Sequence, residues 1–184
     1  MAAFMKFGSI VGDATQKVGG TDLIADPALL EKDGWIGISD FSWNIGRKIT
    51  VKAGPQGKTS DPLEPTLSDI TVKKDADITT WQLLNSICYN KKPDTCTVIF
   101  VKTGNPAQVY MQYKLSNVFL TSVSISLDPT DKGPIETLVI NYTKVEMVNY
   151  SSDESNVLIK SKTNRFEFDK LSAAAGHSAQ GNQR

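Results

Sequence analysis

The chain has 184 residues, with twenty basic side chains balanced by twenty acidic ones. That neutrality gives no electrostatic ground for a nucleic-acid or anionic-membrane partner, and two cysteines, Cys88 and Cys96, are too few for a disulfide scaffold and match no zinc spacing. A 40% apolar, 22% charged composition at this length suits one globular domain plus extensions, large enough to bury a core without staples.

The N-terminal MAAFMKFGSIVG has one lysine and only a short, broken apolar stretch, so it does not read as a signal peptide. No run reaches the length of a membrane span. The expectation is folding in the cytoplasm, with any export using a route that reads no cleaved signal. Phe4–Ile10 is a first strand. Residues 11–33 carry Gly12, Gly19, Gly20 and Pro27 and read as a long loop, with a helical turn at Pro27–Leu30.

GWIGISDFSWNIG (34–46) follows, rich in β-formers and free of proline, and predicts a strand running to about Val51. Its apolar residues change phase. Ile36 and Ile38 fall on even positions, whereas Trp35, Phe41, Trp43 and Ile45 fall on odd ones. A strand alternates faces with period two, so a bulge near Ser39–Asp40 is expected. Phe41, Trp43 and Ile45 would then point into the core, and Asp40, Ser42 and Asn44 away from it.

AGPQGKTSDPLEP (53–65) crowds Gly54, Pro55, Gly57, Pro62 and Pro65 together and predicts a long loop rather than a strand. Thr66–Lys73 is a short strand. DADITTWQLLNSICYN is the convincing helix: Asp77 or Thr79 caps it, and Ile78, Trp81, Leu84 and Cys88 fall at helical spacing beside Leu83 and Ile87. Lys91 and Lys92 suit the negative end of its dipole, and Pro93 stops it. Both thiols read as small buried core residues.

The remainder reads as β: Thr95–Lys102, a turn at TGNP (103–106), Val109–Leu115, Ser116–Leu127, a polar loop at DPTDKGP, and a long strand Ile135–Val148 that is apolar on both faces. SSDESN is a polar break, VLIKSKTNRFEFDKL a weak hairpin, and AAAGHSAQGNQR a tail expected to be disordered. The fold class is mainly β: two packed sheets forming a small barrel with one flanking helix over residues 1–150, followed by a C-terminal extension over 151–184. Strands apolar on both faces fit a domain that shares its second face with neighbouring copies.

No catalytic constellation emerges. GPQGKTS lacks the GxxxxGK[ST] spacing and is followed by prolines instead of a helix, so it is no phosphate loop. The only histidine, His177, lies in the tail, which removes Ser-His-Asp, Cys-His and histidine-rich metal arrangements. Asp40, Asp69, Glu136 and Glu146 could pair across a sheet but read as solvated or ion-paired surface acids. Trp35, Phe41, Trp43 and Trp81 have few basic neighbours and read as core rather than as bases' stacking partners. Asn141-Tyr-Thr143 and Asn149-Tyr-Ser151 match the glycosylation pattern without a secretory context. No cofactor or metal is implied.

The order of segments nevertheless resembles a known family. A short first strand precedes GWIGISDFSWNIG; a Gly-rich loop precedes TLSDITVKKDAD; then come one helix, VYMQYKLSNVFLTSVSIS and ETLVINYTKVEMVNY. This set resembles the Hcp family, the tube protein of bacterial type VI secretion systems, over about residues 4–10 and 34–150; phage tail tube proteins share the ring architecture. The resemblance implies a non-enzymatic subunit forming hexameric rings that stack into a tube. A contracting sheath expels that tube with its spike, and small effectors ride in the lumen. It implies a protein that is cytoplasmic before firing and extracellular afterwards. It places Ser42, between Phe41 and Trp43, on the lumen side in contact with cargo, flanked by Asp40 and Asn44. It makes the 52–65 loop, with Gly54, Pro55, Gly57, Lys58 and Pro62, the element that reaches the adjacent ring. Residues 13–32 are longer than the family's usual first connection, Trp81 stands where the family often has proline, and the tail beyond Tyr150 has no counterpart. The residues alone leave two alternatives: a monomeric β-barrel binding module, or a small hydrolase using surface carboxylates.

Overall fold

A computed structural model of the chain describes residues 2–14, 18–19, 34–54, 57–102, 107–127, 133–152, 158–172 and 174–180. The helical turn expected at Pro27–Leu30, the turn at 103–106 and Pro55 lie outside them. Two antiparallel sheets share one long strand. Sheet A runs β3 (Ile36–Ile38), β1 (Ala2–Phe7), β8 (Asp94–Lys102), β9 (Ala107–Leu127), β11 (Lys144–Ser152), β12 (Leu158–Asp169), β13 (Ala174–Gln180). β2 (Val18–Gly19) adds to β9 in parallel. Sheet B runs β9, β10 (Pro134–Asn141), β7 (Ile70–Asp75), β4 (Asp40–Ser42).

Three strand-to-strand corners join the sheets into a barrel. The first half of β9 pairs with β8 and β11, the second half with β10. The change falls near Asn117, which sits at φ 52, a left-handed conformation that asparagine tolerates better than most residues. The stretch expected as one strand, Ile135–Val148, breaks at Tyr142–Thr143 into β10 and β11, one in each sheet. The two corners are tied: Asn117 Nδ2 donates to Thr143 Oγ1 at 2.9 Å, and the Thr143 amide to the Ser116 carbonyl at 3.2 Å. At the third corner Ser39 separates β3 from β4, and its amide donates to the Lys73 carbonyl at 2.7 Å. The phase change in GWIGISDFSWNIG is therefore a switch of sheets instead of a bulge within one strand. Ile36 and Ile38 enter the core from sheet A, and Phe41 and Trp43 pack against it from the side of sheet B.

The main core lies between the sheets and includes Met5, Phe7, Ile70, Val72, Cys96, Val98, Leu115, Leu138, Ile140 and Tyr142. A second cluster covers the other face of sheet A, with Phe4, Trp35, Ile99, Val101, Val109 and Tyr150. Strands β1 and β8 are thus apolar on both faces because the chain itself, through Trp35 and Ala14, covers the second face. No neighbouring copy is needed to explain that pattern.

Four expectations are corrected here. Residues 53–65 are not a loop: β5 (Ile45–Gly54) and β6 (Gly57–Leu67) form a two-stranded hairpin, with Pro62 opposite Ile49 and Pro65 opposite Arg47. Proline removes one ladder donor, which a strand with a single neighbour tolerates. Gly54 and Gly57 pair at its tip beside Lys58. The helix α1 (Thr80–Tyr89) buries Leu83 and part-buries Ile87, whereas Trp81 is 62% and Leu84 38% exposed and Ile78 and Cys88 also face solvent. The helix turns the opposite stripe inward, so Trp81 and Leu84 are not core. Ile45, at the root of the hairpin, is 47% exposed and not core either. Finally, the tail continues sheet A as β12 and β13, with Phe168 buried and Phe166 packed against the main core.

At the end of sheet B, Lys74 is fully buried. Its ammonium donates to the Asp75 carbonyl at 2.7 Å, Asp77 Oδ1 at 2.8 Å and Glu136 Oε2 at 3.0 Å, so each of its three hydrogens has an acceptor. Asp77 Oδ1 also accepts from the Thr79 amide and hydroxyl and so organises the start of α1. Burial raises the Asp77 pKa, but the bonds from Lys74 and Thr79 outweigh it, and the net shift is downward.

Candidate functional site

The outward face of sheet B follows from its register. Val72, Leu138 and Ile140 point to the core, so their strand neighbours point out. One row across the sheet is Ser42, Thr71, Val139, Ser122; the next is Asp40, Lys73, Thr137, Ser124; the third is Asp75, Ile135, Ser126. Ser42, Ser122, Ser124 and Ser126 are exposed. Asp40 and Lys73 form a half-exposed cross-strand ion pair at 3.3 Å. The face is therefore hydroxyl-rich, carries no aromatic ring in these rows, and is backed by a packed core. Such a surface can stay wetted and offer short hydroxyl donors and acceptors along its length.

The structure brings Asp40 and Ser42 onto this face, one residue in each of two adjacent rows. Asn44 lies elsewhere. It has left the sheet, and its backbone carbonyl and amide bond the Ser68 amide and Ser68 Oγ, each at 2.9 Å, closing the root of the hairpin. The serines of β9 escaped the sequence reading. Their signal is present in TSVSIS, where hydroxyls recur with period two at Ser122, Ser124 and Ser126.

The four acids considered as possible catalytic pairs have four separate surroundings. Asp40 bonds Lys73 on sheet B. Asp69 lies 3.7 Å from Lys170 beside the hairpin root. Glu146 bonds Arg165 at 2.6 Å on the outer side of sheet A. Glu136 is not a surface acid: it is fully buried against Lys74. None shares a cleft with another. Hollows of 480 and 330 Å³ border the Ser39 corner, the first lined in part by Asp13, Asp75 and Asp77, the second by Asp40, Phe41 and Phe100. Among the described residues no three His, Cys, Asp or Glu side chains are grouped to hold a metal. Nor is any helix among them long and apolar enough to cross a membrane.

The hairpin root is the second notable surface. Trp43 Nε1 donates to the Tyr142 hydroxyl at 2.6 Å, and that hydroxyl donates to the Ser68 carbonyl at 2.9 Å. The Lys170 ammonium sits 3.9 Å from the centre of the Tyr142 ring. Burial, partly offset by the Trp43 bond and reinforced by Asp69, pushes the Tyr142 phenol up to about 12.

Comparison with known proteins agrees with this architecture. No curated protein matches the chain. Among solved structures, the chain resembles one described as a type six secretion system protein, with a TM-score of 0.76 at 17% identity, covering 95% of this chain and 99% of that one. It also resembles Hcp1 from Salmonella typhimurium, with a TM-score of 0.64 at 15% identity, covering 95% and 99%. A type VI secretion system effector from Yersinia pestis gives 0.61 at 14% identity, covering 91% and 98%. At these identities the likeness is one of fold. The family model for the type VI secretion system effector Hcp matches residues 4–149, which is most of the sequence. The chain belongs to the Hcp family of type VI secretion system proteins.

Proposed function

We propose that this member of a structural tube family forms hexameric rings that stack into the inner tube of a type VI secretion system, with the outward face of sheet B lining the lumen. The observation that carries the reading is that face: four strands wide, hydroxyl-rich, and backed by the packed core. A water-filled conduit needs a wall that does not collapse onto apolar neighbours, and the Ser42 and Asp40 rows supply one. Ser42, Ser122 and Ser124 are the positions where a small effector would be held. The β5–β6 hairpin, with Gly54, Gly57, Lys58 and Pro62, and with Pro55 at its tip by sequence, reaches the adjacent ring. Spike and sheath proteins are the further partners, and the tube leaves the cytoplasm by contraction. The chain performs no catalysis in this role.

Light scattering after size exclusion, with negative-stain images, tests the reading. Rings and short stacks are expected, and a strict monomer at high concentration overturns it in favour of a monomeric binding module. Ser42→Gln and Ser124→Gln should each leave rings intact and change retention of co-expressed small effectors. Failure of either variant to fold would place that residue in the core instead of on the wall.

A further inference from the structure

We propose that Tyr142 is a positioning residue for the β5–β6 hairpin: its hydroxyl bridges the two chain segments that enter and leave that hairpin and so sets the angle at which it projects. The inference rests on the reading of the hairpin as the ring-stacking element and adds the part of the barrel that aims it. Trp43 lies two residues before β5, and Ser68 immediately follows β6. The Tyr142 hydroxyl accepts from Trp43 Nε1 at 2.6 Å and donates to the Ser68 carbonyl at 2.9 Å, so one buried oxygen holds both roots. Tyr142 is only 1% exposed and stands at the β10–β11 corner, which is itself tied to the kink in β9. The roots are also tied to each other by the Asn44 backbone, whose carbonyl accepts from the Ser68 amide and whose amide donates to the Ser68 hydroxyl. The roots are thus fixed to a corner where the two sheets meet.

Among the described residues, the base of the hairpin does not close onto β12. Between its base and β12 lies an apolar groove of 430 Å³, lined by Ile45, Gly46, Arg47, Pro65, Phe166 and Phe168. A ribbon whose base is set off from the neighbouring strand by a groove takes its direction from its roots. Lys170 covers the Tyr142 ring from the turn after β12, and its amide bonds the Thr143 carbonyl at 2.8 Å, which holds the ring in place without touching the hydroxyl.

The test is Tyr142→Phe in the full chain, which keeps the ring and its Lys170 contact and deletes only the bridging oxygen. Hydrogen exchange followed by mass spectrometry reads peptides over 43–47 and 65–69 against core peptides of β8. Losing a buried hydrogen bond on each root should speed exchange at the hairpin base by about tenfold, with β8 unchanged. Rings should persist while stacks become shorter. Trp43→Phe removes one arm and decides the matter if Tyr142→Phe does not fold; a smaller acceleration confined to the base supports the inference. Base exchange at the wild-type rate in every folded variant overturns it. Acceleration of base and β8 by the same factor also overturns it, since the residue would then be merely structural. A loosened base with stacks of unchanged length would uphold the positioning role and sink the stacking reading.

Discussion

Lys74 and Glu136 face each other across β7 and β10 with neither side chain reached by solvent. Two buried charges are tolerated because the ammonium has three acceptors, although Glu136 Oε1 keeps no partner. Removing one member strands the other, so Lys74→Met should lower unfolding stability by about 3–5 kcal/mol. The double variant Lys74→Met with Glu136→Leu should recover most of that loss, because the apolar pair removes both desolvation penalties. Urea melts of the single variants and the double measure it; additive losses would refute the pairing. The pair was partly legible. Glu136 shares its parity with Leu138 and Ile140, and Lys74 shares its parity with Ile70 and Val72, which are inward positions. Treating Glu136 as a surface acid put chemistry ahead of periodicity. The same periodicity predicts an outward Ser42, and the side chain is exposed, with Phe41 and Trp43 flanking it on the core side.

At the scale of single elements, α1 shows where periodicity stops deciding. Ile78, Trp81, Leu84 and Cys88 make one helical stripe and Leu83 and Ile87 another, and both are apolar. Hydrophobicity favours the stripe with tryptophan, but the barrel receives the narrower one, where Leu83 is wholly buried. Leu83→Ala should therefore cost about 2–5 kcal/mol, the usual range for a buried leucine. Trp81→Ala should stay within about 0.5 kcal/mol, as for an exposed position with no special role. Chemical denaturation of the two variants compares them directly, and a larger loss at Trp81 would reverse the face assignment. The hairpin was hidden for a different reason. Proline and glycine break strands that need partners on both sides, and β5 and β6 need only each other.

Across the whole molecule, the barrel closes by corners at Ser39, Asn117 and Tyr142–Thr143, each inside a stretch that reads as a continuous strand. Segment order made the mainly β fold with one flanking helix legible, but which sheet each half-strand joins depends on pairings distant in sequence. The same holds for the C-terminal extension. The family match ends at residue 149, yet β12 pairs along β11, places Phe168 in the main core, and links Arg165 to Glu146 and Lys144 to Glu167 across the strands. β13 is only the outermost strand of sheet A. A chain ending at Ser172 should thus keep a cooperative melt close to that of the full protein. One ending at Ser152 loses Phe168, a loss worth about 3–5 kcal/mol on its own, together with the partner strand of β11. Against a total stability of about 5–15 kcal/mol, that chain should be largely unfolded or insoluble. Circular dichroism melts of the two truncations decide the matter. A Ser152-terminated chain that melts like the full protein would show that β12 is an attachment rather than a wall of the barrel.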